Sequence, residues 1–151
     1  MSGGGQGIQH ASETTLHATC VAVDGRGLLI RGASGSGKSA LALWLIGLGA
    51  GLVADDRVIL KRDNDALKAS APGAISAMIE ARGLGLLNAQ PCGPVPLAYV
   101  VDLDRTEAAR MPPLRSTELL GLSLPLLFGV DAPHFPAALM QMMKEGRRPG
   151  T

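Results

Sequence analysis

Residues 28–48 of this sequence read LLIRGASGSGKSALALWLIGL, and the middle of this stretch decides the fold. Eight of its residues match the pattern G-x-x-x-x-G-K-[ST] without a gap: Gly32, Ala33, Ser34, Gly35, Ser36, Gly37, Lys38 and Ser39. The pattern is typical of a P-loop, a turn between a strand and a helix whose backbone N–H groups surround the phosphates of a nucleotide. Glycines permit that tight path, and the dipole of the following helix attracts the anion. We therefore predict a nucleotide-binding α/β domain, and we call residues 32–39 the P-loop.

Two side chains of the P-loop carry specific chemistry. Lys38 would place a full positive charge near the β- and γ-phosphates, and the Ser39 hydroxyl would contribute an oxygen ligand to Mg²⁺. The alternative is an ordinary glycine-rich turn. The apolar strand before the motif and the helical pattern after it favour the P-loop.

Composition limits the remaining possibilities. A length of 151 residues fits one domain, and 46% hydrophobic residues supply its core. A net charge of +1 leaves no field to hold nucleic acid or anionic lipid non-specifically. The uncharged run 40–54 is 15 residues long, shorter than the roughly 20 needed to span a bilayer. Residues 1–15 lack the basic and apolar regions of a signal peptide, so we expect a cytoplasmic protein with reduced thiols at Cys20 and Cys92.

Strand and helix patterns alternate along the chain, which predicts a mixed sheet with flanking helices. We expect disordered segments at 1–13 and 147–151 and a single domain over 14–146. The expected elements are a hairpin over 16–31, a helix over 38–48 that is apolar nearly all round and hence buried, a strand at 52–54, a hairpin at a sheet edge over 57–71, a helical piece over 74–81, a flexible loop at 82–85, a strand over 96–102, a strand or hairpin over 119–130 and a helix over 133–145.

A second acid would decide what happens to the bound phosphates. Asp55 and Asp56 follow one apolar strand, and Asp102 follows another. Because strand side chains alternate, only one of the first pair should face the phosphates; the alternative for the pair is a turn at the strand end. The pattern D-x-x-G at 24–27 precedes the P-loop, and the sequence has no N-K-x-D, which argues against a Ras-like GTPase.

Taken together, four features resemble one known family. His17, the P-loop, Asp55-Asp56 and the segment Glu80-Ala81-Arg82-Gly83-Leu84-Gly85 occur in the order found in the catalytic domain of the HPr kinase/phosphorylase family, bacterial enzymes that phosphorylate a serine of the phosphocarrier HPr. The similarity is close over residues 14–104 and looser afterwards. The resemblance implies a P-loop NTPase-like fold of the PEP carboxykinase-like kind.

The resemblance also implies roles for individual residues. Asp56 would accept the proton of the serine hydroxyl, with His17 adjusting its charge, and Arg105 would reach the transferred phosphate. Magnesium would contact Ser39 and Glu80, with Asp55 supporting metal use. The loop that meets the protein substrate would be Arg82-Gly83-Leu84-Gly85. The alternatives are structural: a capping Asp56, a strand histidine at 17, a solvated Glu80 and a simple glycine turn.

Two departures from the family pattern bear on activity. Family members usually carry an additional N-terminal domain, so the resemblance implies a minimal, kinase-domain version. The late loop at 129–134 lacks the arginines that the family uses for the reverse, phosphorolytic reaction. The expected function is an ATP- and Mg²⁺-dependent protein serine kinase, a homo-oligomer and a hexamer by resemblance, that acts on an HPr-like phosphocarrier of a phosphotransferase system.

Two other functions remain open at this point. A small-molecule kinase with a P-loop would need a basic lid, and the basic clusters at 57–62 and in the tail fit that poorly. A regulatory module that senses ATP without transferring phosphate would not need Asp56 for any turnover.

Overall fold

A computed structural model describes residues 12–73 and 77–148 of the chain. The described residues form eleven strands and two helices. In chain order these are β1 (Glu13–Leu16), β2 (Thr19–Val23), β3 (Arg26–Arg31), α1 (Lys38–Gly47), β4 (Gly51–Ala54), β5 (Val58–Asp63), β6 (Ala66–Ser70), β7 (Met78–Ala81), β8 (Gly85–Asn88), β9 (Val95–Thr106), β10 (Arg115–Leu119), β11 (Leu122–Gly129) and α2 (Phe135–Glu145). The predicted α/β class with a mixed sheet is confirmed. The predicted disordered ends lie outside the described residues except at 12–13 and 147–148, and they stay predictions.

The main sheet has the strand order β1-β5-β6-β9-β3-β2-β4, and β9 also pairs with β11, which pairs with β10. Strand β9 is parallel to β3 and β11, whereas β2 is antiparallel to both β3 and β4. Strand β4 therefore runs in the direction of β3. One end of the sheet therefore contains the carboxyl ends of β3, β4, β9 and β11 and the amino end of β2. The P-loop begins at this end.

Both faces of the sheet are buried, which explains the nearly continuous apolar runs in its central strands. On β3, Leu29 belongs to one core cluster, whereas Leu28 and Ile30 belong to the other. The second cluster includes the buried side chains of α1 and α2, so both helices pack on the same face. On the opposite face, the first cluster includes side chains of β5, β6 and β11, such as Leu60, Leu67 and Leu126.

Helix α1 departs from the prediction of a fully buried helix. Leu41, Ala42 and Leu45 are buried against the sheet, but Trp44 is 65% exposed and Leu48, just past the helix end, is 44% exposed. Apolar composition all round the helix predicted burial on every side. Within the described residues, the sheet and α2 cover one side of the helix and leave an apolar stripe at the surface.

Two further predictions were wrong in part. The 57–71 hairpin exists as β5 and β6, but β1 occupies the sheet edge beside β5, so the hairpin is internal. The helical piece predicted over 74–81 is strand β7 from Met78 onward, and residues 74–76 lie outside the described residues. Ile79 and Ala81 are buried while Met78 and Glu80 are exposed, which is the two-residue period of a strand.

In the second half of the chain, the observed elements agree more closely with the predicted ones. The expected strand over 96–102 is the core of the longer β9, and the strand or hairpin expected over 119–130 is strand β11, which contains Pro125 and pairs with the earlier β10. Helix α2 begins two residues later than predicted and ends at Gly146, whose φ of 83° suits glycine. No helix among the described residues is long and apolar enough to cross a membrane.

Candidate functional site

The P-loop connects β3 to α1 and leaves the start of the helix uncapped. Gly37 precedes the helix with a φ of 100°, and no side chain caps the first turn. Glycine is also required at position 32, because a Cβ there would lie 2.5 Å from the Ser36 hydroxyl oxygen. That hydroxyl is buried and has no hydrogen-bond partner among the described residues. Free backbone N–H groups at a helix start, with no acidic side chain in the first turn, form a site suited to phosphate.

Lys38 is held inside this loop. The residue is 8% exposed, and its Nζ donates hydrogen bonds to the carbonyl oxygens of Gly32 at 2.8 Å and Ala33 at 3.1 Å. Two carbonyl oxygens therefore fix the ammonium group at the position where a phosphate would enter. The charge is partly desolvated, which strengthens its attraction for an anion.

Asp55 joins the P-loop to strand β2. The Ser39 hydroxyl donates to Asp55 Oδ1 at 2.8 Å, and the buried Thr19 hydroxyl donates to the same oxygen at 2.8 Å. Sequence reasoning missed Thr19, which begins β2 two residues after His17. The structure thus brings together Ser39 and Asp55, two of the three residues expected at the metal.

These oxygens fit the magnesium ion that a P-loop site implies. Mg²⁺ binds hard oxygen donors, keeps several waters and takes few ligands from the protein when phosphates supply others. The Ser39 hydroxyl and the Asp55 carboxylate are donors of that kind within 2.8 Å of each other. Among the described residues, no group of three or more His, Cys, Asp or Glu side chains could hold a metal ion.

Asp56 points away from Asp55 and pairs with His17. The distance from His17 Nε2 to Asp56 Oδ1 is 2.6 Å, and the two side chains are 57% and 69% exposed. Asp56 adopts a φ of 74°, which non-glycine residues rarely adopt, and its carbonyl accepts a hydrogen bond from the Ala18 N–H. The two carboxylates contact different groups, as expected, but the one on the P-loop serine is Asp55, whereas Asp56 is open to solvent.

Asp102, the other candidate acid, pairs with two arginines and not with the P-loop serine. It is 9% exposed, and its Oδ2 lies 3.7 Å from Arg31 Nη2 and 3.9 Å from Arg105 Nε. The Arg105 guanidinium also lies 5.5 Å from the centroid of the Phe128 ring. The structure places Arg105 beside Asp102 and Phe128, so its contact with a transferred phosphate stays a prediction.

The segment from Glu80 to Gly85 forms the β7–β8 hairpin. Arg82, Gly83 and Leu84 make its exposed turn, and Gly85 starts β8. No hydrogen bond or ion pair among the described residues joins Glu80 to Ser39 or Asp55. Alternation puts Glu80 on the hairpin face of Met78, which lines a cavity of about 360 Å³ together with Asp55. The metal role of Glu80 and the substrate role of the turn stay predictions.

The Cys20 thiol lies outside this site, whereas Cys92 lines the same cavity as Asp55. Cys20 and Cys92 are both free, as expected from the sequence, and Cys20 lies in the core, where burial raises the pKa of its thiol. A buried thiol of this kind is unreactive.

Thr19 provides a stability test of the Asp55 contact. We expect Thr19→Val to destabilise the fold by roughly 1–3 kcal/mol, because a buried hydrogen bond to a carboxylate is lost without a change of volume. Urea unfolding measures this difference. Thr19→Ser, which keeps the hydroxyl, should retain most of the stability, and equal stability of the Val variant and the parent would contradict the role assigned to this bond.

Comparison with known proteins places this geometry in a family. A family model described as the HPr serine kinase C-terminal domain matches residues 8–92, which is more than half of the chain. The chain belongs to this family. The HPr kinase/phosphorylase of Clostridium tetani is 50% identical over 78 residues, or 52% of this chain and 26% of the relative. That of Bacillus licheniformis is 49% identical over 81 residues, or 53% of this chain and 26% of the relative.

The similarity of fold extends further than the similarity of sequence. The HPr(Ser) kinase/phosphatase structure from Coxiella burnetii superimposes with a TM-score of 0.74 and 25% identity, covering 87% of this chain and 94% of that one. Strands and helices beyond residue 92 therefore belong to the same fold. The matched region spans about a quarter of the length of the curated relatives.

Proposed function

We propose that this chain is a protein serine kinase that transfers the γ-phosphoryl group of ATP to a serine of an HPr-like phosphocarrier, with Mg²⁺ as cofactor. The observation that carries the proposal is the pairing of Asp56 with His17 at 2.6 Å, beside an Asp55 carboxylate that contacts the P-loop serine. The names of the relatives support the choice of acceptor. The same proposal includes the hexamer and the PEP carboxykinase-like fold, which the resemblance implies. It also includes a cytoplasmic location.

In this reaction the protein positions groups and neutralises charge, because phosphoryl transfer needs little covalent help. The P-loop N–H groups and Lys38 hold the phosphates. Ser39 and Asp55 would hold Mg²⁺, which supplies neutralisation of the phosphate charge when it is bound.

In this proposal, Asp56 receives the acceptor's proton. Its carboxylate takes the proton as the serine oxygen forms a bond to the γ-phosphorus, and the bond from that phosphorus to the bridging oxygen breaks and releases ADP. His17 orients the carboxylate by its contact with Oδ1. The exposure of Asp56 suits this role, because the acceptor is a side chain on another protein.

Incubation with labelled ATP, Mg²⁺ and candidate phosphocarriers from the same cell tests the proposal. Label should appear as phosphoserine on one carrier. A carrier in which the acceptor serine is replaced by alanine is the matched control. Labelling of small molecules with no labelled carrier would favour a small-molecule kinase, and ATP binding without transfer would favour an ATP-sensing module.

The reverse reaction is expected to be slow. A phosphorylase must hold inorganic phosphate beside a phosphoserine, which requires additional cationic groups. The loop at 129–134 follows β11 at the end of the sheet where the P-loop begins. It contains an exposed Asp131 and no Arg or Lys. We expect pyrophosphate release from the phosphoserine carrier and millimolar phosphate to be far slower than forward transfer.

The charge of this loop can be tested by a single substitution. Asp131→Asn should raise the rate of pyrophosphate release relative to the parent, because it removes a charge that repels phosphate. Reverse turnover that matches the forward rate in the parent protein would show that the interpretation of this loop is wrong.

A further inference from the structure

One peptide group of the P-loop is held from both sides. The carbonyl of the Gly32–Ala33 peptide accepts a hydrogen bond from Lys38 Nζ at 2.8 Å. The N–H of the same peptide donates to the Asp104 carboxylate, at 2.9 Å to Oδ1 and 3.1 Å to Oδ2. Because the N–H and C=O of a trans peptide point in opposite directions, Lys38 and Asp104 bind opposite ends of one planar unit.

Asp104 is itself fixed by the sheet. Strands β3 and β9 are parallel and in a register that pairs Arg31 with Asp102, so Asp104 follows β9's buried stretch just as Gly32 follows β3. The Asp104 N–H donates to Asp102 Oδ1 at 2.9 Å. Asp102 is buried and lies between two arginines, as described above. The hydrogen bond to buried Asp102 therefore holds the backbone from which the exposed Asp104 carboxylate reaches Ala33.

Because residue 32 is glycine, the Gly32–Ala33 peptide needs these hydrogen bonds to keep one orientation. Gly32 has a φ of 155° and no side chain, so its own conformational preferences do little to resist rotation of the peptide that follows it. A rotated peptide would turn the Gly32 carbonyl away from Lys38 and remove one of the two oxygens that place the ammonium group. The carboxylate accepts the N–H with both oxygens and thus stabilises one orientation of the peptide.

We propose that Asp104 is a positioning residue of the nucleotide site, which fixes the Gly32–Ala33 peptide so that its carbonyl holds the Lys38 ammonium in place for phosphate. The inference deepens the proposed function, because it rests on Lys38 binding the phosphates of ATP. The family match ends at residue 92, so it assigns no role to Asp104.

Equilibrium binding of Mg²⁺-ATP and of inorganic tripolyphosphate tests this role without a protein acceptor. Asp104→Asn and Asp104→Ala have the same charge, but only the first keeps an oxygen that can accept the N–H. We expect Asp104→Asn to bind within about twofold of the parent and Asp104→Ala to bind about tenfold more weakly than Asp104→Asn. Asp65→Ala, in the exposed β5–β6 turn, is the matched control and should leave affinity unchanged.

A double variant distinguishes positioning from a general loss of structure. Since Asp104 acts through Lys38, Asp104→Ala should cost almost nothing further in a Lys38→Ala background, whereas independent effects would add. Thermal unfolding of the unliganded proteins is followed in parallel. A lower melting temperature for Asp104→Ala with unchanged affinity would assign a purely structural role and overturn the proposal.

Other outcomes also decide the question. Equal affinities of the Asp104→Ala and Asp104→Asn variants would overturn the proposal. Tighter binding by Asp104→Ala than by the parent would also overturn it, because the carboxylate would then only repel phosphate. A parent protein that binds neither probe would refute both this inference and the proposed function. A parent that binds ATP but phosphorylates no carrier would refute the proposed function and leave the test of Asp104 intact.

Discussion

Replacement of Lys38 by methionine is expected to reduce phosphoryl transfer by roughly 10²–10³-fold, because one preorganised charge is removed from the transferring group. Methionine keeps most of the aliphatic length of the buried side chain, so the fold should survive. The Met variant loses only the ammonium and its bonds to the carbonyls of Gly32 and Ala33. Steady-state turnover with saturating carrier measures the loss.

Lys61, an exposed lysine on β5, gives the matched control for this experiment. Lys61→Met removes the same charge away from the P-loop and should leave turnover within about twofold of the parent, in line with the small effects of surface substitutions. Circular dichroism and thermal unfolding verify that both variants are folded. A folded Lys38→Met protein with parental turnover would refute the assignment of the P-loop as the phosphate site.

The sequence predicts most of the features that depend on local geometry. The P-loop motif prescribes its own backbone path, and turn residues such as Asp63-Asn64-Asp65 place the β5–β6 hairpin. The divergence of Asp55 and Asp56 was expected from strand alternation, but both residues lie beyond the end of β4, and Asp56 has a φ of 74°. His17 and Asp56 meet because β2 and β4 are paired, and their juxtaposition was inferred from resemblance to a family rather than from any local pattern.

Features that depend on distant partners were not predictable in this way. Asp104 and Ala33 are 71 positions apart, and their contact requires the register of β3 and β9. The apolar residues of α1 predict that the helix packs against the rest of the domain, but they do not predict which side of the helix is buried. Strand β7 is four residues long and gains its stability from pairing with β8 and packing of Ile79, so its short alternating pattern was mistaken for a helical turn.

The Asp56→Asn variant is expected to bind ATP normally and to transfer phosphate about 10²–10⁴-fold more slowly, the range by which general bases accelerate reactions. Asparagine suits this test because it tolerates the positive φ of position 56, which alanine would strain. The amide keeps the shape of the side chain and its contact with His17 but cannot accept the serine proton. The effect should therefore fall on kcat, while the KM for ATP stays close to the parental value.

Asp55→Asn provides the contrast, because the two acids are adjacent in sequence and contact different groups. Asp55 Oδ1 accepts from Ser39 and Thr19, so its variant should require more Mg²⁺ for half-maximal turnover and should lose stability. Titration of Mg²⁺ and of ATP for both variants separates the two roles. If Asp56→Asn retains full transfer while Asp55→Asn abolishes it at every Mg²⁺ concentration, the proton acceptor is not Asp56, and the solvent-exposed pair with His17 has no catalytic part.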